Sequence, residues 1–180
     1  GSVRIDNFFD FYGTVDFGAV ELIRFADGSS MTQQQILAIL TASSVSTGDD
    51  LVFGTSASDT IDSLSGHDSI HGLAGNDHIS GGEGNDNLMG DNGNDVLVGG
   101  VGDDSLVGGR GSDTYVFEVG HGNDTISNAA EAAGVKVDRI ALGAGIGPAS
   151  VTVRRAEGDL IIQTSPSDSI RVVGYFSGHG

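Results

Sequence analysis

Between residues 45 and 127 a large apolar side chain recurs at every ninth position: Val52, Ile61, Ile70, Ile79, Leu88, Leu97, Leu106 and then Tyr115. A helix would place apolar residues three and four apart, and a long half-buried strand would alternate them, so neither explains this spacing. In several units the neighbours of the apolar residue are polar, as in Thr60-Ile61-Asp62, Ser69-Ile70-His71 and His78-Ile79-Ser80. Side chains alternate along a strand, so each triplet predicts a short strand with its middle residue pointing inward. The six residues between triplets are glycine-rich, as in "GGEGND" at 81–86, and predict a tight turn. Turn plus strand, repeated, predicts an all-β solenoid in which two units, eighteen residues, complete one coil.

The flanks follow other patterns. Val3 and Ile5, then Val20, Leu22, Ile23 and Phe25, read as strands with a turn at Asp27-Gly28. Thr32 and Gln35 form a capping box ahead of Ile36, Leu37, Ile39 and Leu40, predicting a short helix near 32–40. Residues 137–176 read as four strands: "VDRIAL", "VTVRR", "LIIQT" after a turn at "EGD", and "SIRVVGYF". Most of the aromatic residues lie in the flanks, which also carry apolar strands, so the flanks are expected to cap the roll. The expected boundaries are 1–44, 45–127 and 128–180.

The chemistry lies in a second column of the repeat. With the unit numbered so that its strand occupies positions seven to nine, position six is Asp50, Asp59, Asp68, Asp77, Asp86, Asp95, Asp104 and Asp113. After a two-residue slip, "GHGNDTI" at 120–126 adds Asp124. Position four is glycine in most units, and position five is Asn76, Asn85 and Asn94 in the middle ones. Glycine at positions one, two and four permits positive φ, and asparagine at position five tolerates the left-handed backbone region, so these four positions are expected to use it. Two units per coil put Asp59, Asp77, Asp95 and Asp113 on one edge and Asp50, Asp68, Asp86 and Asp104 on the other. Strands about 4.8 Å apart bring successive carboxylates close together, a costly arrangement without a cation between them. Calcium takes six to eight oxygen ligands in flexible geometry, magnesium demands a near-ideal octahedron, and zinc prefers His or Cys. The carboxylate ladders therefore point to calcium. The repeats bury little apolar surface for the chain they order, so folding is expected to depend on the metal.

Composition narrows the function classes. The 180 residues carry 25 acidic and 8 basic side chains, a net charge of −17, which disfavours nucleic acid and anionic membranes. There is no cysteine, hence no disulfide framework or thiolate metal site. No apolar run reaches the ~20 residues of a membrane span. The sequence contains no HExxH, G-x-S-x-G or Walker motif, so the reading is of a module without catalysis. His67, His71, His78, His121 and His179 read as solvated, with His71 and His78 in position to face one another.

"GGEGNDNLM" (81–89) and "GGVGDDSLV" (99–107) resemble the calcium-binding nonapeptide of the RTX, or repeats-in-toxin, family. "GTSASDTID" (54–62) and "SLSGHDSIH" (63–71) depart from the pattern, by alanine at position four and by loss of both leading glycines. This puts the sites near Asp50, Asp59 and Asp68 in doubt. The resemblance implies an all-β, right-handed parallel β-roll with calcium between successive coils on each edge, three sites per edge, with a seventh between Asp104 and Asp124. Carbonyl ligands would come from Gly72, Gly75, Gly81, Gly82, Gly84, Gly90, Gly93, Gly99, Gly100, Gly102, Gly108, Gly109 and Gly111. It also implies a bacterial protein that leaves the cell unfolded by type I secretion and folds on extracellular calcium. The alternative is a structural module of an adhesin, or a polysaccharide-binding module beside a secreted enzyme. Arg110, Arg154, Arg155 and Arg171 would then be the place to seek an acidic polysaccharide. No Asp-Pro bond occurs, so the self-cleavage of some family members is not expected. "SVRIDNFF" (2–9) and "SIRVVGYF" (169–176) share one pattern, and the flanks resemble segments that follow RTX blocks. The expectation is a longer parent with neighbouring domains, arranged as a tandem array.

Overall fold

The computed structural model of the protein describes residues 22–24, 30–32, 45–127 and 137–176. The chain divides into two units, Gly1–Ala42 and Ser43–Gly180. In the first, β1 (Leu22–Arg24) and β2 (Ser30–Thr32) pair antiparallel. The turn expected at Asp27-Gly28 lies outside the described residues. So do residues 33–40 of the expected helix.

The second unit is a two-sheet parallel roll. One sheet stacks β3 (Leu51–Phe53), β5 (Ser69–His71), β7 (Asn87–Met89), β9 (Ser105–Val107) and β11 (Asn123–Ser127). The other stacks β4 (Thr60–Asp62), β6 (His78–Glu83), β8 (Val96–Val101), β10 (Thr114–Phe117) and β12 (Arg139–Leu142). Consecutive units therefore alternate between sheets, and the register Leu51↔Ser69, Asn87↔Ser105 makes each coil eighteen residues. The inward column is buried as expected, from Val52 through Ile70, Leu88 and Leu106 on one side and from Ile61 through Ile79, Leu97 and Tyr115 on the other. The two columns meet as one narrow core. Two strands run longer than the triplet predicts, β6 and β8 continuing through the next glycine pair.

The last coils are irregular in length. Thr125 of β11 pairs with Ser105 and Arg139 of β12 with Thr114, steps longer than a coil. The C-terminal strands β13 (Thr152–Ala156), β14 (Asp159–Gln163) and β15 (Ser169–Val173) form an antiparallel run, and β15 pairs parallel with β11. The four strands expected in 137–176 are thus present, and they extend both sheets of the roll.

The turns correct one expectation. Of the four positions expected to use it, left-handed backbone falls at two and four and not at one or five: φ is +73° at Leu73, +70° at Asp91 and +127° at Gly84. Position five makes a hydrogen-bonded ladder instead. Asn76 Oδ1 accepts the Asn94 N–H at 2.8 Å, and Asn94 Oδ1 accepts the Ser112 N–H at 2.8 Å. A short carbonyl-bearing side chain aimed along the stack accounts for the Asn column, since it satisfies an amide of the next coil.

Candidate metal centre

Position six forms a ladder of opposite polarity. Asp77 Oδ1 accepts the Asp59 N–H at 2.9 Å from the coil before, and Asp95 Oδ1 accepts the Asp77 N–H at 2.8 Å. On the other edge Asp86 Oδ1 accepts from Asp68, and Asp104 Oδ1 accepts from Asp86, each at 2.9 Å. Strand pairing places every aspartate one coil above its predecessor, so the contact repeats along each edge.

The second oxygen of these carboxylates is what calls for a ligand. Oδ2 of Asp68, Asp77, Asp86, Asp95 and Asp104 is buried with no hydrogen-bond partner, and each of these residues is at most 2% exposed. Buried carboxylate oxygens are otherwise satisfied almost without exception. Position one shows where the ligand would sit. A methyl group added at Gly90 would overlap Asp95 Oδ2 and lie 2.6 Å from the Gly108 carbonyl oxygen; at Gly72 it would meet Asp77 Oδ2 and the Gly90 carbonyl at 2.8 Å. Gly81, with Asp86 and the Gly99 carbonyl, repeats the arrangement. Each cradle joins an anionic oxygen to main-chain carbonyls one coil on. Among the described residues no three His, Cys, Asp or Glu side chains converge, so the donor set is carboxylate plus carbonyl. That set fits a hard, oxygen-seeking cation and does not fit zinc or copper.

Burial raises the carboxyl pKa along both edges, opposed by the amide each carboxylate accepts and assisted by like charges a coil away. Asp95 is pushed up to about 6 and Asp104 to about 7, and Asp77, Asp86 and Asp124 move the same way. A desolvated carboxylate ladder lacking a counter-charge favours protonation.

The ends of the ladder differ from its middle. Asp50 and Asp59 are half-buried, and their Oδ2 atoms accept N–H groups from Ser46 at 2.6 Å and Thr55 at 2.5 Å. Asp124 Oδ1 accepts the Asp104 N–H at 2.9 Å, while Oδ2 meets His121 Nδ1 at 2.6 Å. In the weak unit 63–71 the buried Ser63 hydroxyl donates to the Gly81 carbonyl at 2.6 Å, taking an acceptor from that cradle. Asp138 was missed by the nine-residue count: its Oδ1 accepts the Asp113 N–H at 3.0 Å, a rung twenty-five residues on. The signal was present, because Asp138 precedes Ile140 by two residues, as every repeat aspartate precedes its inward residue.

Two histidine expectations need correction. His121 is 3% exposed and internally bonded, not solvated. His71 and His78 lie on β5 and β6, in different sheets. His71 stacks on Phe53 and meets Asp91 at 3.3 Å. Of the basic residues, Arg171 is engaged by Asp159, and Arg155 lies 4.6 Å from the Phe176 ring.

Residues 45–79 and 80–115 match the model of a family described as RTX calcium-binding nonapeptide repeat, in four copies. The structure is similar to the extracellular lipase LipA from Serratia marcescens, at 17% identity and a TM-score of 0.30, over 72% of this chain and 37% of that one. It is also similar to the AlgE6R3 subunit of the Azotobacter vinelandii mannuronan C5-epimerase, at 20% identity and a TM-score of 0.30, over 75% of this chain and 76% of that one. The chain thus spans well under half the length of the lipase. No curated protein matches it.

Proposed function

We propose that the chain, whose residues 45–79 and 80–115 match the RTX calcium-binding nonapeptide repeat, is a calcium-responsive folding module of a larger secreted bacterial protein. The single observation behind this reading is the row of buried, unpartnered carboxylate oxygens from Asp68 to Asp104. Asp68, Asp77, Asp86, Asp95, Asp104 and Asp113 would hold the metal, with carbonyls such as those of Gly90, Gly99 and Gly108. Bound calcium supplies positive charge and oxygen coordination at the cradles. The chain's own residues do the rest: position one leaves room, position six presents the anion, and position five aligns the coils.

Without a counter-charge, closing a coil buries another carboxylate beside its neighbours, and the inward column offers only one apolar side chain per unit against it. Binding free energy then becomes folding free energy. Calcium is scarce inside cells and abundant outside, so the module would leave the cell unfolded and fold on arrival, steadying a neighbouring domain of its parent. Catalysis has no part in this role.

A calcium titration of the chelated chain by far-UV circular dichroism, with magnesium in parallel, tests it. The expected outcome is a cooperative gain of β-signal with calcium alone. Full β-signal in chelator at neutral pH refutes the folding role.

A further inference from the structure

The repeat has more aspartates than the unpartnered oxygens require, and the surplus is not scattered. We propose that the chain closes the ends of its carboxylate ladders with its own hydrogen-bond donors at Asp50, Asp59 and Asp124, so that cations enter only the interior rungs. The inference rests on the calcium reading above and assigns, rung by rung, where it applies.

At the first rung of each edge the donor comes from position two. The Ser46 N–H and hydroxyl both reach Asp50 Oδ2, at 2.6 and 3.1 Å. The Thr55 N–H and hydroxyl reach Asp59 Oδ2, at 2.5 and 2.9 Å. In the interior, position two is Leu64, Leu73, Gly82, Asp91 or Gly100, all with positive φ. Ser46 and Thr55 keep φ negative. The same peptide thus either turns its amide onto the carboxylate or, flipped into the left-handed region, leaves Oδ2 without a donor. The flip costs roughly 1–2 kcal/mol at a residue other than glycine. Leu64, Leu73 and Asp91 bear that strain at rungs whose carboxylate oxygen is left unsatisfied, which is coherent if a cation repays both.

At the far end of one edge the donor comes from position three. That position points outward in interior units, where Ala74 and Asn92 are at least partly exposed. In the ninth unit it is His121, folded inward. His121 Nε2 lies 3.1 Å from Thr164 Oγ1, and that hydroxyl donates to the Asp168 carbonyl at 3.2 Å. An imidazole nitrogen and a carboxylate oxygen this close need a proton between them, so one is held between Nδ1 and Asp124 Oδ2, across 2.6 Å. That proton does for Asp124 what a cation does for the interior carboxylates. Beyond it the acidic column stops: the residue paired with Asp124 one strand on is Ile170, fully buried.

Calcium stoichiometry of the full chain by isothermal titration, with far-UV circular dichroism to confirm folding, distinguishes the rungs. Asp59→Asn and Asp124→Asn should each keep the parent's stoichiometry, whereas Asp86→Asn and Asp95→Asn should each bind at least one ion fewer. A deficit in Asp59→Asn or Asp124→Asn with β-signal intact overturns the inference and leaves the calcium reading standing. No deficit in any of the four, or no binding by the parent, removes both. Should a variant fail to fold, the imidazole ¹H–¹⁵N spectrum of the calcium-saturated parent decides. A slowly exchanging, hydrogen-bonded proton on Nδ1 of His121 supports the inference, and loss of that proton at saturation overturns it.

Discussion

Gly90→Ala isolates the cradle from the rest of the turn. The φ of Gly90 is not in the left-handed region, so alanine meets no backbone penalty there. Its methyl would instead occupy the space bounded by Asp95 Oδ2 and the Gly108 carbonyl, 2.6 Å away. The carboxylate can swing aside, but the carbonyl belongs to the next coil, and the two can no longer converge on one ion. A site half-occupied a hundredfold below the working calcium concentration contributes about 2.7 kcal/mol to the folded state. Losing it must be made up by the remaining interior rungs, which spreads the deficit and raises the calcium midpoint by about threefold. The overpacking itself adds on the order of 1–3 kcal/mol, moving the midpoint further in the same direction. The assay is the calcium titration by circular dichroism, repeated by calorimetry for stoichiometry. If Gly90→Ala folds at the parent's midpoint and binds as many ions, position one does not border a cation site and the cradle argument fails.

Other outcomes follow from the same geometry. Asp95 and Asp104 have folded-state pKa values pushed up to about 6 and about 7, above the ~3.9 of an unfolded chain. Their contribution to the metal-free roll is therefore fully present below about pH 4 and lost as pH rises through 6 to 7. Calcium-free protein should show β-signal by circular dichroism at about pH 4 that fades by about pH 8, and a flat profile refutes the sign. Gly84→Ala differs in kind from Gly90→Ala: at φ +127° its methyl would collide with the Gly66 carbonyl, so stacking should fail even in saturating calcium, read as loss of the cooperative transition. Leu97→Ala, at a fully buried position, should cost about 2–5 kcal/mol, measured by urea unfolding in calcium, and a smaller cost would mean the core column is not close-packed.

The repeat was legible because one physical demand recurs in every unit, an inward aliphatic and a turn tight enough to bring coils together. Val52 to Tyr115 and Asp50 to Asp113 could be counted off the chain for that reason. What escaped counting depends on contacts between segments far apart in sequence. His121 occupies an outward position by number and is buried beside Phe117 and Thr164, the latter some forty residues later. Asp138 joins its ladder through a strand reached by an irregular step. The role of Asn76, Asn85 and Asn94 was misassigned because asparagine suits both left-handed turns and amide-accepting ladders. Composition could not choose between the two, whereas the φ values could.

The two side-chain ladders of the turn run in opposite senses, position six accepting amides from the coil before and position five offering its acceptor to the coil after. Every seam between the regular coils is thereby stitched from both sides, at an interval of eighteen residues. Growth or loss by a whole coil keeps both stitches, both sheets and both edges in phase. Adding or removing a single nonapeptide would carry every later unit to the opposite sheet, leaving the cap strands β12 and β15 facing the wrong partners. A lineage built on this architecture can change its length only in even numbers of repeats.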